Sequence, residues 1–220
     1  MDKPKLSYRF LRGVVRTFTP NVQTFWEEPF CGEPSIFVCN HARAMGPIDM
    51  CAYFPLRDEL RLWMNDSVLH PSLVPAYVRQ DYWYKPGTWR ARVLNCFVPY
   101  LAALALPAVL HSAPYVPVYH DMRVVKTFRL SIQALQQGYS VVVFPEQPAG
   151  YHEREEQLNS GFLLIARMAY QKMGRALRFY PVHIDPETRR IDVRKPLLYD
   201  PATALDEQQP AILSALKEQI

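Results

Sequence analysis

The run Ser140-Val-Val-Val-Phe144, followed at once by Pro145-Glu146, constrains the fold more than any other segment. It is apolar and mostly β-branched, with no alternation of polar and apolar residues. A strand of that kind belongs in the middle of a parallel sheet covered on both faces. A second segment, the strand Ile36-Phe-Val-Cys-Asn40 followed by His41, lies about a hundred residues earlier. Both end abruptly in polar or turn-forming residues. In open α/β sheets, ligands bind just beyond the carboxyl ends of the strands. His41, Glu146 and, a few residues on, Asp49 are therefore delivered to the edge where such a fold does its chemistry.

The surrounding pattern supplies the rest of an α/β unit. Pro47 suits the first turn of a helix carrying Ile48, Cys51, Ala52 and Phe54, and Pro55 ends or bends it. Leu60 to Met64 and Val116 to Tyr119 read as strands. Val124 to Gln137 is an amphipathic helix stopped by Gly138, and Glu155 to Met173 is another stopped by Gly174. Leu177 to Ile184 and Ile191 to Lys195 are strands around an Asp185-Pro186-Glu187 turn. A last helix lies within 202–220. Residues 66–90, rich in aromatics and prolines, predict an irregular excursion with short helices. The order predicts one three-layer α/β domain over 1–220 with a mostly parallel mixed sheet flanked by helices. Residues 1–30 form an N-terminal docking segment, 31–200 the core and 201–220 the closing helix.

Two segments look toward lipid. In 3–18, Leu6, Phe10, Val14 and Phe18 recur every fourth residue, with Lys5, Arg9, Arg12 and Arg16 largely opposite. That is a basic amphipathic helix, which suits either a membrane surface or a domain face with its charges in water. Val93 to Tyr119 has no formally charged residue if His111 is neutral, but four prolines interrupt it. It predicts a broken apolar helix or helix pair over about 90–112, buried or dipped into one leaflet.

Net charge narrows the function classes. A balance of +4 over 220 residues suits an anionic substrate or membrane surface and is too weak to imply nucleic acid. The cysteines Cys31, Cys39, Cys51 and Cys96 show no metal-ligand spacing. They read as reduced, buried thiols of a cytoplasmic protein, and no secretory signal is visible. A Gly-x-Ser-x-Gly elbow and a Gly-rich phosphate loop are both missing, which argues against an α/β-hydrolase and nucleotide-dependent transfer.

His41 is the candidate general base. Histidine titrates near neutrality and can take a proton from an attacking hydroxyl. A carboxylate on its other nitrogen would fix the tautomer, and Asp49 is the obvious one. The alternative is a histidine that merely ends a strand, with Asp49 favoured at a helix N-terminus by the dipole.

Asn40-His41 with a downstream Asp, Val116-Pro-Val-Tyr119 leading to Arg123, Phe144-Pro145-Glu146, and Tyr180-Pro181-Val182 occur in an order that resembles the glycerolipid acyltransferases, the 1-acylglycerol-3-phosphate and glycerol-3-phosphate acyltransferase family. The resemblance runs from about residue 30 to residue 200, and Lys195-Pro196 resembles that family's closing strand. It implies that His41 deprotonates an acceptor hydroxyl, that Asp49 orients it, and that no covalent acyl-enzyme forms. It also implies a thioester co-substrate (acyl-CoA or acyl carrier protein), no cofactor or metal, and a lysophospholipid-like acceptor at the cytoplasmic membrane surface. Arg123 and Glu146 would contact the acceptor.

Two departures stand out. Seven residues separate His41 from Asp49, where the family has four. The third block continues Gln147-Pro148-Ala149-Gly150 in place of Gly-Thr-Arg-Ser, so an arginine that often meets phosphate is missing. Arg43 and Arg154 are the candidate substitutes. The changed block leaves a non-phosphate acceptor (an amine or glycolipid) as an alternative. The changed spacing leaves a non-catalytic lipid-binding relative.

Overall fold

A computed structural model of the chain describes residues 5–42, 45–80, 89–146 and 158–220. Helix α1 (Leu6–Phe18) leads into strand β1 (Gln23–Trp26) and the central strand β2 (Ile36–Cys39). Helix α2 (Met45–Ala52) crosses to β3 (Leu60–Asn65), and a short 3₁₀ turn over 66–69 leads to α3 (Val74–Gln80). Then come α4 (Trp89–Leu110), β4 (Tyr115–Val118), α5 (Val124–Gln136) and β5 (Ser140–Val143). The chain closes with α6 (Leu163–Met173), β6 (Arg178–Asp185), β7 (Arg190–Val193), β8 (Leu197–Leu198) and α7 (Leu205–Gln219).

The strands form one sheet in the order β1-β7-β6-β2-β5-β3-β4, with β8 paired to β6. Strands β6, β2, β5, β3 and β4 are parallel, as the two apolar runs predict. Strand β7 turns back antiparallel to β6, and β1 runs alongside β7. Every residue of β2 and β5 is buried. Alternate side chains enter two different cores. Ile36, Val38, Val141 and Val143 pack with Phe128 and Ile132 of α5, Ile165 and Ala169 of α6, and Leu216 of α7. Phe37, Cys39 and Val142 pack with Met50, Tyr53 and Phe54 at α2. Helices thus cover both faces, and the three-layer architecture stands.

Several elements differ from expectation. Strand β1 has no strong sequence signal, because its burial alternates between half-buried and exposed and its partner lies near the other end of the chain. The apolar segment is not broken: α4 runs continuously through Pro99 and Pro107. No helix among the described residues is long and apolar enough to cross a membrane. Helix α6 begins at Leu163, after a 3₁₀ turn over Ser160–Phe162 whose Asn159 side chain accepts from the Gly161 N–H. Residues 155–157 of the expected helix lie outside the described residues. Pro117 falls inside β4, which is tolerated because β4 is an edge strand. Gly174 closes α6 at φ +68°, and Gly138 follows α5 at φ +89°. Of the four thiols, Cys31 and Cys96 are exposed rather than buried.

Helix α1 reverses the simple reading of its faces. Tyr8 is its buried residue, and Arg12 turns inward to Asp58 at 2.5 Å. Leu6, Phe10, Val14 and Phe18 all face outward, with Leu6 and Phe18 at least 80 % exposed. Along α4, Trp89, Val93, Phe97, Tyr100, Leu101 and Leu104 are exposed as well.

Candidate functional site

The pairing of β2 with β5 sets the site. Ile36 lies opposite Val141 and Val38 opposite Val143. That offset carries past the strand ends, so His41 arrives opposite Glu146. The Glu146 carboxylate accepts the His41 backbone N–H at 2.5 Å. Charge on the acceptor makes this one of the stronger hydrogen bonds available to a main-chain donor. The His41 ring lies 5.3 Å from the Phe144 ring, centroid to centroid, tilted by 58°. The β5 end therefore holds His41 twice, through its backbone and against its ring. Beyond Glu146, the Asn159 N–H donates to the Pro145 carbonyl and Leu158 pairs with Glu146, which fixes this turn.

Asn40 pins the same loop from the other side. Its side-chain amide donates to the Ile184 carbonyl at 3.0 Å, and its oxygen accepts the Ile184 N–H at 2.6 Å. In effect the asparagine extends the β2–β6 ladder by one rung. Past His41 the chain turns sharply. Ala42 adopts φ +44°, and the Gly46 N–H donates to the His41 carbonyl at 3.2 Å. A β-carbon on Gly46 would lie 2.4 Å from that carbonyl oxygen. Glycine is required here by close approach, not by its own dihedral. Helix α2 starts at Met45, so Pro47 sits in its first turn, where no N–H partner is needed.

Asp49 stands one turn further along α2. Met45 and Gly46 lie on the same face one turn before it. The Asp49 side chain is 1 % exposed, and neither carboxylate oxygen accepts a hydrogen bond among the described residues. It is not hydrogen-bonded to His41. Its nearest cation is Arg189, at 3.5 Å from Oδ1. Burial raises the Asp49 pKa, and Arg189 partly opposes that rise.

Arg123 begins α5, beyond the end of β4. Strands β5 and β3 lie between β4 and β2, so the strand that leads to Arg123 runs about 14 Å across the sheet from the His41 strand. The Arg123 guanidinium is already engaged. It lies 2.9 Å from Asp121 and 3.5 Å from Asp66, and 4.4 Å above the Tyr119 ring. Asp121 is held below the usual carboxylate range, chiefly by its hydrogen bond from Arg123. Arg43 and Arg154 lie outside the described residues. Cys39, two residues before His41, is fully buried, and its thiol pKa is raised by burial and by the Glu146 charge. It is a packed, protonated thiol and not a nucleophile. Among the described residues no cluster of three or more His, Cys, Asp or Glu side chains could hold a metal.

The sheet thus brings His41, Glu146 and Phe144 together at one end, while Asp49 is set against Arg189 and Arg123 lies further along. Sequence reasoning missed Arg189, a turn residue with no periodic signal, and the roles of Phe144 and Asn40, which were read only as parts of motif blocks.

No protein-family model matches the chain, and no curated protein matches it. Among solved structures, it is similar to the 1-acyl-sn-glycerophosphate (LPA) acyltransferase PlsC from Thermotoga maritima. The alignment covers 96 % of this chain and 76 % of that one, at 13 % identity and a TM-score of 0.45. A likeness this slight says nothing about chemistry.

Proposed function

We propose that this chain is an acyltransferase. It moves a fatty acyl group from the thioester of acyl-CoA or acyl carrier protein to the hydroxyl of a lysophospholipid-type acceptor at the cytoplasmic face of a membrane. The observation that carries the reading is His41, held by Glu146 and Phe144 just beyond the carboxyl ends of two central parallel strands. In this reaction the His41 imidazole takes the acceptor hydroxyl proton while the oxygen attacks the thioester carbonyl. The tetrahedral intermediate collapses, the C–S bond breaks, and the imidazolium returns its proton to the departing thiolate. Asp49 is the carboxylate assigned to the imidazolium. Glu146 fixes the base through its main chain, and Arg123, Arg43 and Arg154 are assigned to the acceptor.

The lipid surface fits α1 and α4. Their outward faces carry aromatic and aliphatic side chains, and α1 sets exposed Lys5, Arg9 and Arg16 beside them. Apolar residues flanked by cations suit an anionic interface. Phe10→Asp with Phe18→Asp is expected to abolish cosedimentation with phosphatidylglycerol-containing vesicles. These side chains touch no core, so the melting temperature should not fall. Full vesicle binding by the double variant would remove α1 from the docking surface.

A second reading has an amine or glycolipid as acceptor. It is favoured by Arg123, whose charge already faces two carboxylates and is poorly placed to grip a phosphate. Thiol release is measured with long-chain acyl-CoA and with acyl carrier protein, each against lysophosphatidic acid, lysophosphatidylglycerol, monoacylglycerol and a long-chain amine. Release that depends on a lysophospholipid supports the first reading. Release only with the uncharged acceptor or the amine selects the second. No release from either donor with any acceptor overturns both and leaves a lipid-binding protein without catalysis.

A further inference from the structure

Arg189 lies in the turn between β6 and β7. Because β7 runs opposite to the parallel strands, that turn comes to the same end of the sheet as His41. The residue adopts φ +55°, a strained region for a side chain this large. Three contacts hold it there. Its carbonyl accepts the Gln23 N–H at the start of β1, its Nη2 donates to the Pro20 carbonyl at 2.7 Å, and its guanidinium lies 5.7 Å from the Tyr53 ring centroid. Tyr53 in turn donates its hydroxyl to the Thr19 carbonyl. The guanidinium is thus held from two sides, by the Pro20 carbonyl and the Tyr53 ring, and what it faces is the buried Asp49 carboxylate.

A buried carboxylate with no hydrogen bond to either oxygen calls for an explanation. Arg189 is near enough to stabilise the negative charge, yet it donates no hydrogen bond to it. Both oxygens are buried and accept no hydrogen bond.

We infer that Arg189 is a positioning residue of the acyl-transfer site: it keeps the buried Asp49 ionised while leaving its oxygens available to the His41 imidazole. This role rests on the acyltransferase reading above. Among the described residues, the titratable and charged groups packed around α2 are Tyr8, Arg12 and Arg16 from α1, His41 from the β2 loop, Cys51 and Tyr53 from α2 and its end, Arg57 and Asp58 beyond it, and Arg189 from the hairpin. Of these, Arg189 is the group that draws the Asp49 pKa down against burial. Its loss therefore moves the titration of Asp49 to higher pH. Activity needs the carboxylate, so the acid limb of the pH–rate profile moves up with it.

The test compares the wild-type protein with Arg189→Met, Arg189→Lys and Asp49→Asn. Thiol release is followed from acid to alkaline pH, and melting temperature is followed in parallel. Arg189→Met is expected to lose about ten- to hundredfold in rate at neutral pH, the range for groups that orient a directly acting side chain. The loss should shrink as pH rises, and Arg189→Lys should recover most of it. In the melting arm, Asp49→Asn added to Arg189→Met should raise the neutral-pH melting temperature, because it removes a carboxyl that must be protonated, at a cost in stability, once its cation is gone. An unmoved acid limb in Arg189→Met, with no rescue by Asp49→Asn, overturns the role of Arg189 alone. No release by the wild-type protein overturns the acyltransferase reading and this role with it.

Discussion

Replacing His41 by alanine is expected to lower acceptor-dependent thiol release by at least about a hundredfold, the low end for loss of a general base. The side chain is half-buried, and the variant keeps the main-chain N–H that Glu146 accepts, so the fold should survive. A parallel Cys39→Ala separates base catalysis from a thiol nucleophile. Cys39 is buried and its thiol pKa is raised, so its removal should leave most of the rate in place. A His41→Ala protein that melts normally and transfers acyl groups at the wild-type rate would end the case for a histidine base here. Loss of activity in Cys39→Ala at unchanged stability would point to a covalent acyl-enzyme instead.

Gly46→Ala should be nearly as damaging, for a mechanical reason. The added methyl would lie 2.4 Å from the His41 carbonyl oxygen and 3.0 Å from its carbon. Both are backbone atoms, so no rotamer change relieves the clash, and the loop carrying His41 must shift. Overpacking of this kind costs about 1–3 kcal/mol in stability. An error of about an ångström in a catalytic group costs roughly a hundredfold in rate. Gly138→Ala is the matching control. It is strained by its φ of +89° but meets nothing within 4 Å, so it should lower stability and leave the specific activity of the folded protein intact. The comparison is made by melting temperature and by rate per folded molecule. Equal activity losses in the two variants would show that general instability, and not displacement of His41, is responsible.

What the sequence could reveal followed the range of the interaction that causes it. The buried runs of β2 and β5 declare themselves, because a strand covered on both faces has to be apolar at every position. The ends of those strands then locate His41 and Glu146. Their common offset of 105 residues is a property of pairing and appears only once the register is known. Gly138 and Gly174 mark helix ends for a local steric reason, and both do so here.

Long-range features stayed hidden. Nothing near Gln23–Trp26 says that it will pair with Arg190–Val193. Nothing around Arg189 says that an antiparallel return will set it against Asp49. Helix α1 was legible as a helix with two faces. Which face would meet the domain was decided by Tyr8 and by the Arg12–Asp58 pair, contacts that no local pattern contains. The altered spacing after His41 is now explained in part. The chain makes a left-handed step at Ala42, and α2 begins with Met45 and Gly46 against the His41 carbonyl. Asp49 then lies buried on α2, without a hydrogen bond to His41 and 3.5 Å from Arg189.

The placement of β1 bears on the order in which the molecule comes into being. Pro20 and its partner Arg189 are 169 residues apart in sequence. At translation rates of 5–20 residues per second, about ten to thirty seconds separate their emergence. Throughout that interval the helix that carries Leu6, Phe10 and Phe18 is out of the ribosome, while the hairpin that receives β1 has not been made. Those side chains stay exposed in the finished fold, so it is β1, and not they, that waits for a partner. Residues 23–26 are therefore made early and paired late, and the sheet closes at β1 only after residues 190–193 have followed.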